Sequence, residues 1–217
     1  MDIATTLLEA GTAVVADVFD VLGRRPPVLR EDLVPLAPGA RFAGPAYTIA
    51  GRTMDFEGGD PEKLGAIDAM PPGCVAVWAG QDIRGVCCFG DLLATSMQAR
   101  DIAGIVVDGG VRDSAFLASL ELPIVARFRT PAQAIGRWKV TAVQEAIEVP
   151  GAIDDVVTVH PGDLIVVDED GAVVVPADLA QQVAERAAAW ASGEEDARVD
   201  IAGGMPLLEA LDKHGHL

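Results

Sequence analysis

Apolar residues at the start of the chain recur mostly at three- and four-residue intervals, through Leu7, Leu8, Ala10, Val14, Val18 and Leu22. That spacing predicts a helix over residues 5–22, stopped by Gly23. The prolines at 26 and 27 force a connection, and GARFAGPAYTIA over 39–50 then reads as a strand in which Pro45 marks an edge or a bulge. Pro71, Pro72 and Gly73 introduce a second strand, CVAVWAG. From there the pattern alternates: RGVCCF is a strand, 91–100 a helix, AGIVVDGG a strand, 112–120 a short helix and LPIVARF a strand. Such an order implies parallel pairing with right-handed crossovers. Further along, DVVTV, DLIVVDE and AVVVP read as short strands with HPGD and DEDGA as turns, and helices over 177–191 and 207–211 close the chain.

Composition narrows this pattern to an α/β protein. Half of the 217 residues are apolar but only 5% are aromatic, so the core is built mainly from Val, Ala, Leu and Ile, as buried strands require. No repeat or Ser-rich linker separates two cores, and a single domain over 1–217 is expected. With 33 acidic and 16 basic side chains the net charge is −17, which repels nucleic-acid phosphates and anionic lipid headgroups. No apolar run approaches the roughly 20 residues that span a bilayer, and the start Met1-Asp2-Ile3 lacks the features of a signal peptide. A soluble, cytoplasmic protein is expected. Cys74, Cys87 and Cys88 lie in apolar strand-like runs without C-x-x-C spacing and read as core. His160, His214 and His216 are scattered, which disfavours a histidine-based zinc site, and the last two fall in a terminal segment expected to be mobile.

Candidate chemistry sits at two strand-to-helix junctions, since ligands bind at strand C-terminal ends in parallel sheets. At Gly90-Asp91-Leu92-Leu93 the glycine permits a tight turn and the opening helix offers unpaired amides to an anion. At Asp108-Gly109-Gly110-Val111-Arg112-Asp113 a buried strand ends in a glycine pair and then a cation–anion doublet. Consecutive strands of a crossover unit lie close, so both junctions can face one pocket. Asp113 is a hard oxygen ligand of the kind that holds Mg²⁺ or Mn²⁺, and Asp91 suits the orientation of a water nearby. Arg112 offers a planar fork of donors to a carboxylate or an enolate oxygen. Together these residues suit electrostatic and Lewis-acid stabilisation of the enolate formed when a bond next to a 2-oxo acid breaks, without a lysine. Each has a structural alternative: Asp113 and Asp91 as helix N-caps, Arg112 as a surface ion-pair partner, the glycines as turn residues.

The segments GDLLATSMQARDIAGIVVDGGVRD, GARFAGPAYTIA and HPGDLIVVDEDGAVVVP, in their relative spacing, resemble the RraA-like family. That family contains 4-hydroxy-4-methyl-2-oxoglutarate aldolase, 4-carboxy-4-hydroxy-2-oxoadipate aldolase and the RraA regulator of ribonuclease E. The similarity runs from about Thr12 to Pro176, leaving a helical C-terminal segment over 177–217. It implies a layered α/β/β/α sandwich, assembly as trimers or hexamers with sites at subunit interfaces, and class II pyruvate aldolase chemistry with oxaloacetate decarboxylation. By motif matching, Asp113 is the direct metal ligand, Arg112 the enolate stabiliser and Asp91 the residue that holds a water for proton transfer. The amides of Leu92 and Leu93, beside Gly90, would receive the pyruvyl carboxylate. An acid from the neighbouring subunit's C-terminal region is also implied, with Glu194 and Glu195 the nearest candidates.

Two departures stand out. Phe116 occupies a position three residues after the Arg-Asp pair where relatives carry an acid, and DFEGGDPEK around Asp55 replaces a loop that contributes near the pocket in relatives. Aldol cleavage of the usual dicarboxylated substrates is thereby less secured than metal binding by Asp113. A regulatory protein that inhibits a ribonuclease through protein contacts is the rival reading, and its acidic surface would suit a basic partner. A quinone methyltransferase is disfavoured because no Gly-x-Gly-x-Gly loop followed by an acid is present.

Overall fold

A computed structural model describes residues 2–81 and 83–215; His216 lies outside them. The expected first helix is two: α1 (Ile3–Ala10) and α2 (Thr12–Val21). Gly11 separates them at φ 89°, a conformation open to glycine but not to a helix. The second helix starts there because the buried Asp168 carboxylate accepts both the amide of Thr12 (2.8 Å) and its hydroxyl (2.6 Å). Apolar periodicity continues through the break because Leu7, Val14, Val15 and Val18 all enter one core.

The remaining elements are β1 (Val34–Pro35), β2 (Phe42–Thr53), α3 (Pro61–Asp68), β3 (Val75–Ala79), β4 (Cys87–Phe89), α4 (Asp91–Gln98), β5 (Gly104–Val111) and α5 (Ser114–Leu117). They are followed by β6 (Ile124–Arg129), β7 (Trp138–Val143), β8 (Ile147–Pro150), β9 (Val156–Val159), β10 (Leu164–Asp168), β11 (Gly171–Val175), α6 (Ala180–Ala202) and α7 (Leu207–His214). The main sheet runs β1-β6-β5-β3-β2-β10-β11, with β4 added to β5 and β7 to β2. Its β2, β3, β5 and β6 pair in parallel, as the alternating sequence pattern implied. Strand β2 is shared: Phe42–Pro45 pair with β10, Ala46–Ala50 with β3, and Ile49–Thr53 with β7. Bridges from Val28 to Val173 and from Leu29 to Gly151 bring the two ends near one another, so the sheet nearly closes into a barrel.

Strand alternation divides the apolar residues between layers. In β3, Val75, Val77 and Ala79 enter the interior of the curved sheet, while Ala76 and Trp78 face a second core under α3, α4 and α5. A third core packs α1, α2 and α6 on β10 and β11. The result is the layered α/β/β/α single domain that the resemblance implied. Asp108, fully buried in β5, is held by Arg127 at 2.8 Å and Arg30 at 3.4 Å. Among the described residues no helix is long and apolar enough to cross a membrane.

Other differences are local. Helix α6 reaches Ala202, well beyond the expected 191, α7 continues to His214, and α5 is a single turn. His214 is part of α7 and bonds Asp200 at 2.7 Å, so this stretch of the C-terminal segment is ordered structure.

Candidate active site

The parallel strands deliver the two predicted junctions to one place. β4 pairs with β5 through Cys87–Gly110 and Phe89–Val111, so the residues that follow each strand, Gly90-Asp91 and Arg112-Asp113, emerge side by side. The Arg112 amide donates to the carbonyl of Phe89 at 3.2 Å, fixing the second junction against the first. Glycine at position 90 makes room for both side chains: a Cβ there would lie 2.8 Å from Cγ and 2.9 Å from Nε of Arg112, and closer still to Asp113 Oδ2. The two functional side chains therefore lie in the space that the missing methyl leaves.

Asp113 adopts a left-handed backbone conformation (φ 57°, ψ 34°), uncommon for a residue with a side chain, and its carboxylate makes no capping bond to α5. The N-cap alternative thus does not explain its side chain. Instead Oδ2 accepts the amide of Asp91 at 3.2 Å and faces Arg112 Nε at 3.3 Å. Both side chains are 39% exposed, and so accessible to a ligand. Asp91 opens α4, and its Oδ1 accepts the amide of Leu92 at 2.7 Å. Of the two amides expected to receive a carboxylate, Leu92 is therefore occupied internally, whereas the Leu93 amide has no hydrogen-bond partner among the described residues.

The cleft in front of these groups has a volume of about 270 Å³ and is lined on one side by Gly90, Asp91, Leu92, Leu93 and Arg112. A wider depression on the other side of Arg112 holds Asp113, Phe116 and Arg129. Phe116 is 46% exposed there, so the position where relatives carry an acid presents an apolar ring to the rim. Glu194 and Glu195 do not reach either cavity of their own chain; they lie on α6, both paired with Arg198 at 2.9 and 2.7 Å. The segment around Asp55 is only partly a loop, since Asp60 caps α3 by accepting the amide of Lys63. The three cysteines are buried and free. Burial pushes the Cys74 thiol up to about 11 and that of Cys88 up to about 12, and it also raises Cys87 despite the opposing charges of Arg112 and Lys63.

Lys63 is a site residue that sequence reasoning missed. It lines the cleft together with Gly90 and Arg112, although the expected chemistry called for no lysine. Its amine donates to the carbonyl of Cys88 at 2.9 Å and lies 5.0 Å from the centroid of the Trp138 ring. Burial pulls its pKa below the ordinary lysine range, an effect only partly offset by Cys88 and Asp60. The available signal was the N-cap and proline pair Asp60-Pro61, which starts a helix whose third residue is the lysine.

The donor set fits a hard divalent cation. Asp113 offers one half-exposed carboxylate, and Mg²⁺ or Mn²⁺ binds through one or two carboxylates while keeping its waters. Groups of three or more His, Cys, Asp or Glu side chains, as a closed protein cage requires, do not occur among the described residues.

Fold and cleft together define an α/β protein whose near-closed sheet carries a carboxylate–guanidinium site at its strand C-terminal ends. The sequence profile of the RraA-like family, Aldolase/RraA, matches residues 12–174, and the chain belongs to that family. It is 30% identical over 210 residues to Protein DlpA of Legionella pneumophila, covering 96% of this chain and 33% of DlpA, so it spans a third of that relative's length. It is also 30% identical over 223 residues, 100% of this chain and 97% of the other, to a Halalkalibacterium halodurans protein named "Putative 4-hydroxy-4-methyl-2-oxoglutarate aldolase". The crystal structure of Streptomyces coelicolor RraAS2, described as an unusual member of the RNase ES inhibitor RraA protein family, matches with a TM-score of 0.76 at 29% identity. That match covers 90% of this chain and 95% of RraAS2.

Proposed function

We propose that the protein is a divalent-metal-dependent carbon–carbon lyase of the cytoplasm. It would cleave a 4-hydroxy-2-oxo dicarboxylic acid to pyruvate and a second oxo acid, and decarboxylate oxaloacetate through the same enolate. The observation that carries this reading is the space at Gly90, into which Arg112 and Asp113 are drawn beside the first turn of α4. The name of the H. halodurans relative supports the same class of reaction.

In this reading the substrate carboxylate approaches the first turn of α4, where the Leu93 amide is free and the helix dipole favours an anion. Arg112 orients that carboxylate and offsets the charge that grows on the enolate oxygen, a contribution made mainly in the transition state. Asp113 would hold the cation, which when bound supplies Lewis-acid withdrawal of charge from the 2-oxo group. Asp91, which lines the cleft, would orient a water that takes the proton of the 4-hydroxyl and later returns a proton to the enolate carbon. Assembly as a trimer or hexamer would cover Leu92 and Phe116, which are 78% and 46% exposed beside the site, and would let an acid of a neighbouring copy reach it.

The test is pyruvate release from oxaloacetate and from 4-hydroxy-4-methyl-2-oxoglutarate, with Mg²⁺ or Mn²⁺ added and then chelated. Chelator-sensitive release supports the lyase. Absence of release from folded, assembled protein favours a second reading, a regulatory protein acting on a ribonuclease through protein contacts. The likeness to RraAS2 and the net charge of −17 support that second reading.

A further inference from the structure

Resting on the lyase reading, we propose that Lys63 is a specificity-determining residue that receives the second carboxylate of a dianionic 2-oxo acid, forming with Arg112 a two-cation anchor across the cleft. Both cations line this cleft, one on α3 and one after β5, as does Cys87, whose thiol feels both charges. Apolar side chains supply much of the remaining wall, including Leu64, Phe89, Leu93 and Ile135, with Asp60, Asp91 and Gln133 as its other polar side chains.

The amine is not used up by its own fold. An ammonium has three N–H donors, and one of these goes to the Cys88 carbonyl. The nearest acid, Asp60, stands 3.9 Å away, an ion pair beyond hydrogen-bond reach. Its two oxygens already accept the amides of Lys63 at 3.2 Å and Val140 at 3.0 Å, so it is a shared counter-ion. The Lys63 side chain is only 8% exposed, so bulk solvent reaches it little. A buried cation with unspent donors facing a cleft gains more from an arriving carboxylate than a solvated one does. The amine itself lies over the face of the Trp138 ring, a cation–π contact that fixes its place at the cleft wall.

Pyruvate and 2-oxoglutarate share the 2-oxo carboxylate head and differ in the second carboxylate, so they separate this proposal from the reading beneath it. Dissociation constants are measured by calorimetry with Mg²⁺-loaded protein, wild type and Lys63→Met, the latter keeping an unbranched apolar side chain without the charge. Wild type is expected to bind 2-oxoglutarate about tenfold more tightly than pyruvate, and K63M to erase that ratio. The chain has three lysines, Lys63, Lys139 and Lys213, so a wild-type measurement is also practical. With ¹³C-labelled lysine, the ring-shifted signal of Lys63 over Trp138 should move on adding 2-oxoglutarate and much less on adding pyruvate. Equal affinities in wild type, or a preference that persists in K63M, overturns the proposal alone. A K63M protein that only loses thermal stability while keeping the ratio assigns Lys63 a purely structural role. No binding of either acid overturns the lyase reading and this proposal together.

Discussion

Replacing Gly90 with alanine should separate stability from activity. The added methyl would meet Arg112 Cγ and Nε at 2.8 and 2.9 Å and Asp113 Oδ2 more closely still, all well inside ordinary contact distance. The three nearest atoms belong to side chains that are 39% exposed and have room to swing outward, rather than to backbone. Folding should therefore lose less than the ~1–3 kcal/mol typical of overpacking a closed core. At roughly 2–4 °C per kcal/mol for a chain of this size, the melting temperature falls by a few degrees at most. Relief of the clash moves the guanidinium and the carboxylate by about 1 Å, and a misplacement of that order costs about 10²-fold in turnover. The assay is initial-rate pyruvate release from oxaloacetate at saturating Mg²⁺, beside a thermal melt of the same sample. A G90A protein with wild-type turnover would refute the argument that this space positions the chemistry, and a collapse of the melting temperature would refute the claim that only mobile side chains meet the methyl.

Arg112→Ala should lower kcat by about 10²–10³-fold with little change in the melt, because the side chain is half-exposed and its loss removes charge stabilisation. Asp113→Asn, which keeps a side chain tolerant of the left-handed backbone, should abolish metal-stimulated pyruvate release and Mn²⁺ binding followed by electron paramagnetic resonance. Asp168→Ala strands the buried amide and hydroxyl of Thr12, so chemical denaturation should report a loss of about 1–3 kcal/mol with the cleft unaltered. With thiols raised to about 11 and about 12, Cys74 and Cys88 stay protonated at pH 8, and native protein should resist iodoacetamide there while denatured protein is alkylated at both, as read by mass spectrometry.

The parallel strands could be read from sequence because burial on both faces makes them continuous apolar runs, as in VAVWA of β3. Helix α3 could not, since PEKLGAID has few apolar positions and buries a lysine amid them. Strand β7 was hidden for another reason, since WKVTAV owes its state to β2, far back in the chain, and IEVP of β8 was hidden by its shortness and closing proline although its partner β9 follows closely. The break at Gly11 was masked because both helices face the same core. At the candidate site, strand ends and glycines drew attention to Gly90, Asp91, Arg112 and Asp113 locally, and the resemblance supplied their expected roles. Lys63 reaches the cleft from another layer, and nothing in its neighbourhood along the chain points to Arg112.

The sharing of β2 among three partners also constrains how the molecule is made. Its middle pairs with β3 soon after it in the chain, but Thr53 waits for Trp138 and Pro45 for Leu164. During synthesis the first four residues of β2 remain an open edge until nearly the whole profile-matched region has left the ribosome, a high-contact-order closure that should be slow. A nascent chain halted before β10 would expose that edge to its neighbours, making premature termination a route to aggregation rather than to a smaller working domain.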